Sequence, residues 1–239
     1  MQQSEFLSIC EIGNITLVGS FIRGSNYSFL VEVSSNSGQK SLKAVYKPLA
    51  GEYPLWDFAP ETLAHREMAA YLVSEALGWG FVPPTIYRED APYGAGSLQL
   101  FIEHDALRHY FNLNEEIKLA LPRVVLFDIL INNADRKGGH FLWGKDGRLW
   151  LIDHGICFHT EWKLRTVAWE LAGLPLPQPL RKEMKDFIAK LNGELAEEIR
   201  LHLSTEEILA LKARTQWLSR IQRFPYPPKQ GIPYPFPII

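Results

Sequence analysis

Two short polar runs hold the residues best suited to chemistry. The first is Asn132-Asn133-Ala134-Asp135-Arg136-Lys137-Gly138-Gly139-His140, between an apolar helical stretch and an apolar strand. A loop this polar belongs at a surface or along a cleft. Asp135 can take a proton from a hydroxyl or orient it for attack. Arg136 or Lys137 can offset charge building on a transferred group, and the two glycines let backbone approach a ligand closely. An ordinary turn capped by Asp and Asn is the alternative. The second run is Leu149-Trp150-Leu151-Ile152-Asp153-His154-Gly155, where an apolar strand delivers Asp153 to its end. A carboxylate there suits a hard cation such as Mg²⁺; a plain Asp-x-Gly turn is the alternative. Phe141–Trp143 and Leu149–Ile152 flank Asp146-Gly147, a good hairpin turn. That hairpin would bring the two acids side by side, where their repulsion favours a cation between them.

Three further features lie upstream. Gly19 to Gly24 falls within a strand–turn–strand, and Gly24-Ser25-Asn26 supplies donors that could cover phosphates. No Gly-Lys-Ser/Thr precedes a helix, so this is not a Walker A loop, and a plain hairpin turn explains it equally. Lys47 closes a strand on the face it shares with Lys43 and Val45. Glu67 borders a helix's apolar stripe between Leu63 and Tyr71, where a carboxylate favours a cation, and Lys47 is the candidate partner; a solvated surface glutamate is the alternative. His140, Asp153, His154 and His159 also admit a metallohydrolase reading, although no H-E-x-x-H or similar spacing is present.

The elements that must position these groups are legible. Asn14–Ser20, Tyr27–Val33 and Ser41–Lys47 read as strands, the last with Leu42, Ala44 and Tyr46 on its other face. Pro48 ends it. Pro60-Glu61 opens a helix running to Leu77 before Gly78. Pro83-Pro84 introduces an extended piece, and Ser97–Glu103 reads as a strand. Glu115–Ile131 reads as a helix kinked near Pro122. Helical patterns follow at Lys163–Ala172, Pro179–Leu191 and Thr205–Gln222. The tail Phe224–Ile239 alternates proline with aromatics, so it should be extended and packed on the body, or recognised by a protein partner.

Composition narrows the class. The chain has 239 residues, 46% hydrophobic and 22% charged, with net charge -2, enough for one large domain or two joined lobes. It has no basic excess to suggest nucleic acid. Cys10 and Cys157 form no disulfide or metal pattern. The N-terminus lacks signal-peptide character, and no run reaches the roughly 18 apolar residues needed to span a membrane. The expectation is a soluble cytoplasmic protein without a stable membrane anchor.

In this order, the glycine hairpin, Val45-Tyr46-Lys47-Pro48, Glu67, Gln99-Leu100-Phe101-Ile102-Glu103, Asp135-Arg136 and Ile152-Asp153-His154-Gly155 resemble the phosphatidylinositol 3-/4-kinase-like catalytic domain. The likeness is to type II lipid kinases and their small bacterial relatives, and more distantly to HipA-like kinases, over residues 12–222. It implies an α+β, bilobal protein-kinase-like fold. An antiparallel sheet with one main helix would form the N-lobe (1–103) and a mostly helical C-lobe would follow (104–223), with 224–239 as the tail. By the same resemblance Lys47 would contact ATP phosphates and pair with Glu67. Leu100, Phe101, Ile102 and Glu103 would be the adenine hinge, Asp135 the catalytic acid and Asp153 a ligand of Mg²⁺ or Mn²⁺. Transfer of the γ-phosphate to a hydroxyl of a protein or small molecule would follow, a phosphoinositide included. Two positions depart from the family pattern. His140 replaces the metal-binding Asn five places after the catalytic acid; histidine suits Mn²⁺ or Zn²⁺ better than Mg²⁺. His140 therefore also admits a pseudokinase, an adaptor that binds nucleotide without transfer. His154 replaces the aromatic of the DFG-like motif.

Overall fold

The computed structural model describes residues 3–21 and 26–239. Gly24 and Ser25, expected to donate to phosphates, lie outside the described residues. In chain order the elements are α1 (Gln3–Ile12), β1 (Asn14–Phe21), β2 (Ser28–Ser34), β3 (Ser41–Pro48), α2 (Leu63–Ala76), β4 (Thr85–Arg88) and β5 (Gly96–Leu100). These are followed by α3 (Glu115–Leu119), α4 (Pro122–Ile131), β6 (Phe141–Trp143), β7 (Leu149–Leu151), α5 (Gln178–Lys190), α6 (Glu194–Arg200) and α7 (Thr205–Leu218).

β1 to β5 form one antiparallel sheet in the order β1-β2-β3-β5-β4. Strand alternation on β3 decides which side chains face the site. Leu42, Ala44 and Tyr46 turn inward with Val31, Val33 and Leu98 and pack against Phe6 and Cys10 of α1. Lys43, Val45 and Lys47 therefore share the opposite face. Burying a side chain such as Phe6 contributes roughly 1.5–3 kcal/mol. The sequence reading leaves α1 unassigned because only Phe6 and Cys10, one turn apart, are fully buried, with Leu7 and Ile9 partly so.

α4 is the hub of the helical lobe. Every residue from Val124 to Ile131 is buried, as expected for a helix apolar on all sides. Here the expected single helix 115–131 is two helices. Pro122 takes the first-turn position of α4, where its missing N–H costs nothing. Other expectations also change. β5 stops at Leu100, so residues 101–103 leave the sheet. The expected helix 163–172 does not form: Arg165, Thr166 and Val167 donate their N–H groups to Asn133, Pro233 and Arg136 carbonyls, so tertiary bonds replace the helical ladder. α6 is an additional short helix.

The tail is extended and lies against the body. The carbonyl of Pro233 accepts from Thr166 N (3.1 Å) and Trp169 Nε1 (3.1 Å), and Ile238 O accepts from Gly138 N (2.8 Å). Among the described residues no helix is long and apolar enough to cross a membrane.

Candidate active site

Lys47 lies at the centre of a charged cluster between the lobes. Its ammonium contacts Glu67 Oε1 from α2 and Asp153 Oδ1 at 3.0 Å. Burial lowers the Lys47 pKa, but the Asp153 and Glu67 carboxylates outweigh it and raise the group above its ordinary value. Asp153 is half-exposed and is held well below the usual carboxylate range, chiefly by Lys47, against the effect of burial. Its φ of 65° places a non-glycine residue in the left-handed region, a strained conformation found often at functional sites. Helix α2 carries Glu67 and is fixed at its start by a remote cap: Glu52 Oε1 accepts from Leu63 N (2.8 Å) and Ala64 N (3.1 Å).

The 132–140 loop is organised from beneath. Asn132 ends α4 in a left-handed conformation, φ 53°. Its side chain donates to His159 O and Glu161 O and accepts from Lys163 N. Asn133 Oδ1 accepts from Asp135 N (2.9 Å), and its amide donates to Asp128 Oδ1 (3.1 Å). Asp135 itself is 20% exposed and 2.9 Å from Lys137 Nζ. Burial pushes its carboxyl up to about 6, opposed by Lys137 and reinforced by the charge of Asp153.

Arg136 is a correction to the sequence reading. Its side chain has no exposure and donates to both oxygens of Asp128, to Ile152 O (2.9 Å) and to His154 Nε2 (2.7 Å). It cannot reach a transferred group; it braces the 132–140 loop against the Asp153 loop. Lys137 is the cation beside Asp135. The sequence does carry a signal for Asp128, the one charge within the apolar run Val124–Ile131, which demands a buried partner. Arg66, next to Glu67, is likewise unassigned from sequence. Its guanidinium donates to Cys157 O (2.6 Å), Glu207 Oε1 (2.5 Å) and Thr62 Oγ1 (3.3 Å), tying α2 to the helical lobe.

The donor set bears on a cation. His140 Nε2 lies 3.2 Å from Asp153 Oδ2. Burial, with Arg136, Lys137 and Lys47 nearby, pushes the His140 pKa down to about 4 despite Asp153. The ring is thus neutral near pH 7, as a metal ligand must be. Its Nδ1 accepts from Lys137 N at 3.4 Å, which leaves Nε2 to donate to Asp153; as a metal ligand Nε2 would pass its hydrogen to Nδ1 and the long Lys137 contact would be given up. Among the described residues no three His, Cys, Asp or Glu side chains converge as a closed metal site. The Asp153 carboxylate fits an open site completed by phosphate oxygens and water, the usual arrangement for Mg²⁺, and a neighbouring imidazole in its other tautomer would favour Mn²⁺. The metallohydrolase grouping does not assemble. His154 is bound to Arg136, while His159 Nε2 contacts Asp57 O (2.9 Å) and its Nδ1 accepts from Glu161 N (3.0 Å).

Other expected binding residues are placed as follows. Gly19 follows a bulge between Leu17 and Gly19 in β1, with no described residue within 4 Å of where its Cβ would be. The Asn26 side chain accepts from Tyr53 N (2.6 Å), and Asn26 lines a cavity of about 40 Å³ with Lys47, Glu67 and Asp153. Leu100 ends β5. Phe101 N donates to Lys43 O (3.1 Å), and Glu103 O accepts from Lys145 N (3.0 Å), so 100–103 bridges the lobes. A second cavity, about 290 Å³, lies against 100–103 beside Phe6, Val82 and Trp150; neither Lys47 nor Asp153 lines it. Gly138 is not free to approach a ligand: a Cβ there would meet the Phe111 ring at 2.6 Å, whereas Gly139 is open.

The family model for phosphatidylinositol 3- and 4-kinase matches residues 58–220. Protein Rv2133c of Mycobacterium tuberculosis is 41% identical over 259 residues, covering 93% of this chain and 92% of that protein. Phosphatidylinositol 4-kinase gamma 4 of Arabidopsis thaliana is 32% identical over 164 residues, covering 55% of this chain and 27% of that protein. The chain thus spans about a quarter of that plant kinase. Among solved structures, the Golgi casein kinase with Mn/ADP bound superposes with a TM-score of 0.58 at 14% identity, covering 91% of this chain and 74% of that one, so the fold is protein-kinase-like. The matched stretch holds Glu67, Asp135, His140 and Asp153, and by that match the chain belongs to the phosphatidylinositol 3- and 4-kinase family.

Proposed function

We propose that this kinase-like phosphotransferase uses ATP as donor and moves its γ-phosphoryl group to a hydroxyl acceptor. The observation that carries the reading is the contact of one lysine, Lys47, with both Glu67 and Asp153, beside an acid, Asp135, whose carboxyl feels the Asp153 charge. Residues 1–103 form the lobe over the nucleotide, 104–223 the lobe bearing the acids, and 224–239 the tail. Residues 100–103 take the adenine edge, with Gly19 and Asn26 on the phosphate side.

Lys47, oriented by Glu67, holds phosphate oxygens. Asp135 orients the acceptor hydroxyl and takes its proton as the new P–O bond forms and the bond to the β-phosphate breaks, releasing ADP. Lys137 offsets charge beside Asp135. A divalent cation held by Asp153, with His140 as second ligand, would supply charge neutralisation at the phosphates; Mn²⁺ accords with an imidazole ligand and with the neighbour bound to Mn/ADP. The acceptor is a protein hydroxyl or a small hydroxyl compound, with a phosphoinositide in range from the names of the plant relatives. Buried, unpaired Cys10 and Cys157 accord with a cytoplasmic setting.

The test is transfer of label from γ-labelled ATP with Mg²⁺ or Mn²⁺ to the protein itself or to an acceptor panel. Asp135→Asn should lower transfer by about 10²–10⁴ while ATP still binds. ATP binding with no transfer by the unmodified protein would favour a nucleotide-binding adaptor.

A further inference from the structure

Two buried polar atoms face one another across the lobes without meeting. Glu67 Oε2 on α2 and His154 Nδ1 beside Asp153 are both shielded from water, and among the described residues neither has a hydrogen-bond partner. They lie 3.8 Å apart, with Glu67 2% exposed and His154 fully buried. Buried polar groups are nearly always paired, and an unpaired one calls for an explanation.

The ring's hydrogen placement follows from its other nitrogen. Arg136 Nη2 is 2.7 Å from His154 Nε2, and a guanidinium only donates. Nε2 is therefore the acceptor, and in the neutral ring the hydrogen is on Nδ1, the atom facing Glu67. Arg136 is in turn immobilised by both oxygens of Asp128. A phenyl ring at position 154 would fill the same space but bring no donor.

We propose that His154 is a positioning residue that joins the lobes when nucleotide binds: Nδ1–H donates to Glu67 Oε2 as the lobes close. The shift required is about 1 Å, from 3.8 Å to an ordinary N–H···O separation of about 2.9 Å. Glu67 would then be held by Lys47 on one oxygen and by His154 on the other. A continuous chain, Asp128–Arg136–His154–Glu67–Lys47, would connect the core of the helical lobe to the lysine on the phosphates. This inference rests on the reading that Lys47 contacts nucleotide.

The test uses ¹⁵N-histidine NMR of the full chain, with His154 assigned through His154→Gln. The expected result is an Nδ1–H neutral ring in the free protein, whose Nδ1–H proton moves downfield when MgADP is added. An Nε2–H ring, or signals unmoved at saturating MgADP, would overturn the inference. Kinetics give the second arm. Glutamine can accept from Arg136 and donate to Glu67; phenylalanine can do neither. His154→Phe should lower kcat/KM for ATP roughly tenfold or more, the scale of a lost hydrogen bond to a charged group, and His154→Gln should restore most of it. Wild-type kcat/KM in a folded His154→Phe variant would refute the role. If that variant fails to fold, the NMR arm and His154→Gln still decide. Absence of any ADP or ATP binding by the unmodified protein would overturn the kinase reading and this inference with it. Binding with an unmoved ring overturns this inference alone.

Discussion

Arg66 on α2 and Glu207 on α7 are joined across the lobes, with Nη2 and Oε1 2.5 Å apart and both side chains largely buried. The same guanidinium donates to Cys157 O, four residues beyond Asp153. Glu207 is doubly employed, since its Oε2 accepts from Ser204 N in the capping box of α7. The helix that carries Glu67 is thus anchored to the helical lobe by its neighbouring residue. Removing one partner of a buried ion pair costs roughly 3–5 kcal/mol. Arg66→Met should therefore lower the melting temperature by about 6–20 °C, using about 2–4 °C per kcal/mol for a chain of this size. Glu207→Gln keeps the cap and should cost less. Additive effects in the double variant would show that the pair does not couple.

Lys47 and Lys43 share one face of β3, but only Lys47 reaches the acids; Lys43 is exposed. Lys47→Ala should reduce transfer by about 10²–10³, the scale for loss of one preorganised group at the developing charge. Lys43→Ala should stay within about twofold. Initial rates at saturating acceptor make the comparison, and equal losses would mean that the strand face has been misassigned.

What the sequence makes legible follows from where the information resides. β3 was readable because period-2 alternation is local, and it correctly separated Lys47 from Tyr46. The pairing of Glu67 with Lys47 was readable because an acid bordering an apolar stripe favours a cation. Arg136 was misassigned because its type suits phosphate as well as it suits a buried bridge, and only Asp128, eight residues upstream, decides between them. The stretch 163–172 looked helical because helical periodicity does not encode tertiary partners; Asn133, Arg136 and Pro233 carbonyls capture its N–H groups instead. α1 was illegible because two buried residues make too short a stripe.

Asp135 sets a pH dependence. Its carboxyl is pushed up to about 6, with Lys137 opposing the shift. The ionised form is the proton acceptor, so the rate should rise as pH increases through about 6. Lys137→Met removes the opposing cation and should move that limb to higher pH. Asp135→Asn should remove the limb and lower kcat by about 10²–10⁴. The stability sign is opposite: the folded state binds this proton more tightly than the unfolded state, so Asp135's contribution is full below the ordinary carboxylate pKa and is lost as pH rises through about 6. A flat profile between pH 5 and 7.5 would exclude Asp135 as the proton acceptor.

His140 beside Asp153 gives a test of metal preference. Histidine is a better ligand for Mn²⁺ than for Mg²⁺, whereas an amide oxygen suits Mg²⁺. His140→Asn should therefore raise the Mg²⁺-supported rate relative to the Mn²⁺-supported rate. An unchanged ratio would mean that His140 serves only as the hydrogen-bond donor to Asp153 seen at 3.2 Å.

Gly138 and Gly139 are adjacent yet should respond oppositely to alanine. A Cβ on Gly138 would meet Phe111 Cε2 at 2.6 Å and Cδ2 at 2.7 Å, with Ile238 O at 3.5 Å; a Cβ on Gly139 would meet nothing within 4 Å. Phe111 is 38% exposed, so its ring can shift toward solvent, and the cost should fall at the lower end of the overpacking range, about 1 kcal/mol. Gly138→Ala should lower the melting temperature and speed amide exchange at Gly138, whose N–H donates to Ile238 O at 2.8 Å. Gly139→Ala should leave both unchanged. Since Gly138 is three residues from Asp135, the loss of transfer in Gly138→Ala should appear in kcat more than in KM for ATP. A larger effect from Gly139→Ala would mean that close approach to ligand, not packing against Phe111, selects glycine in this loop.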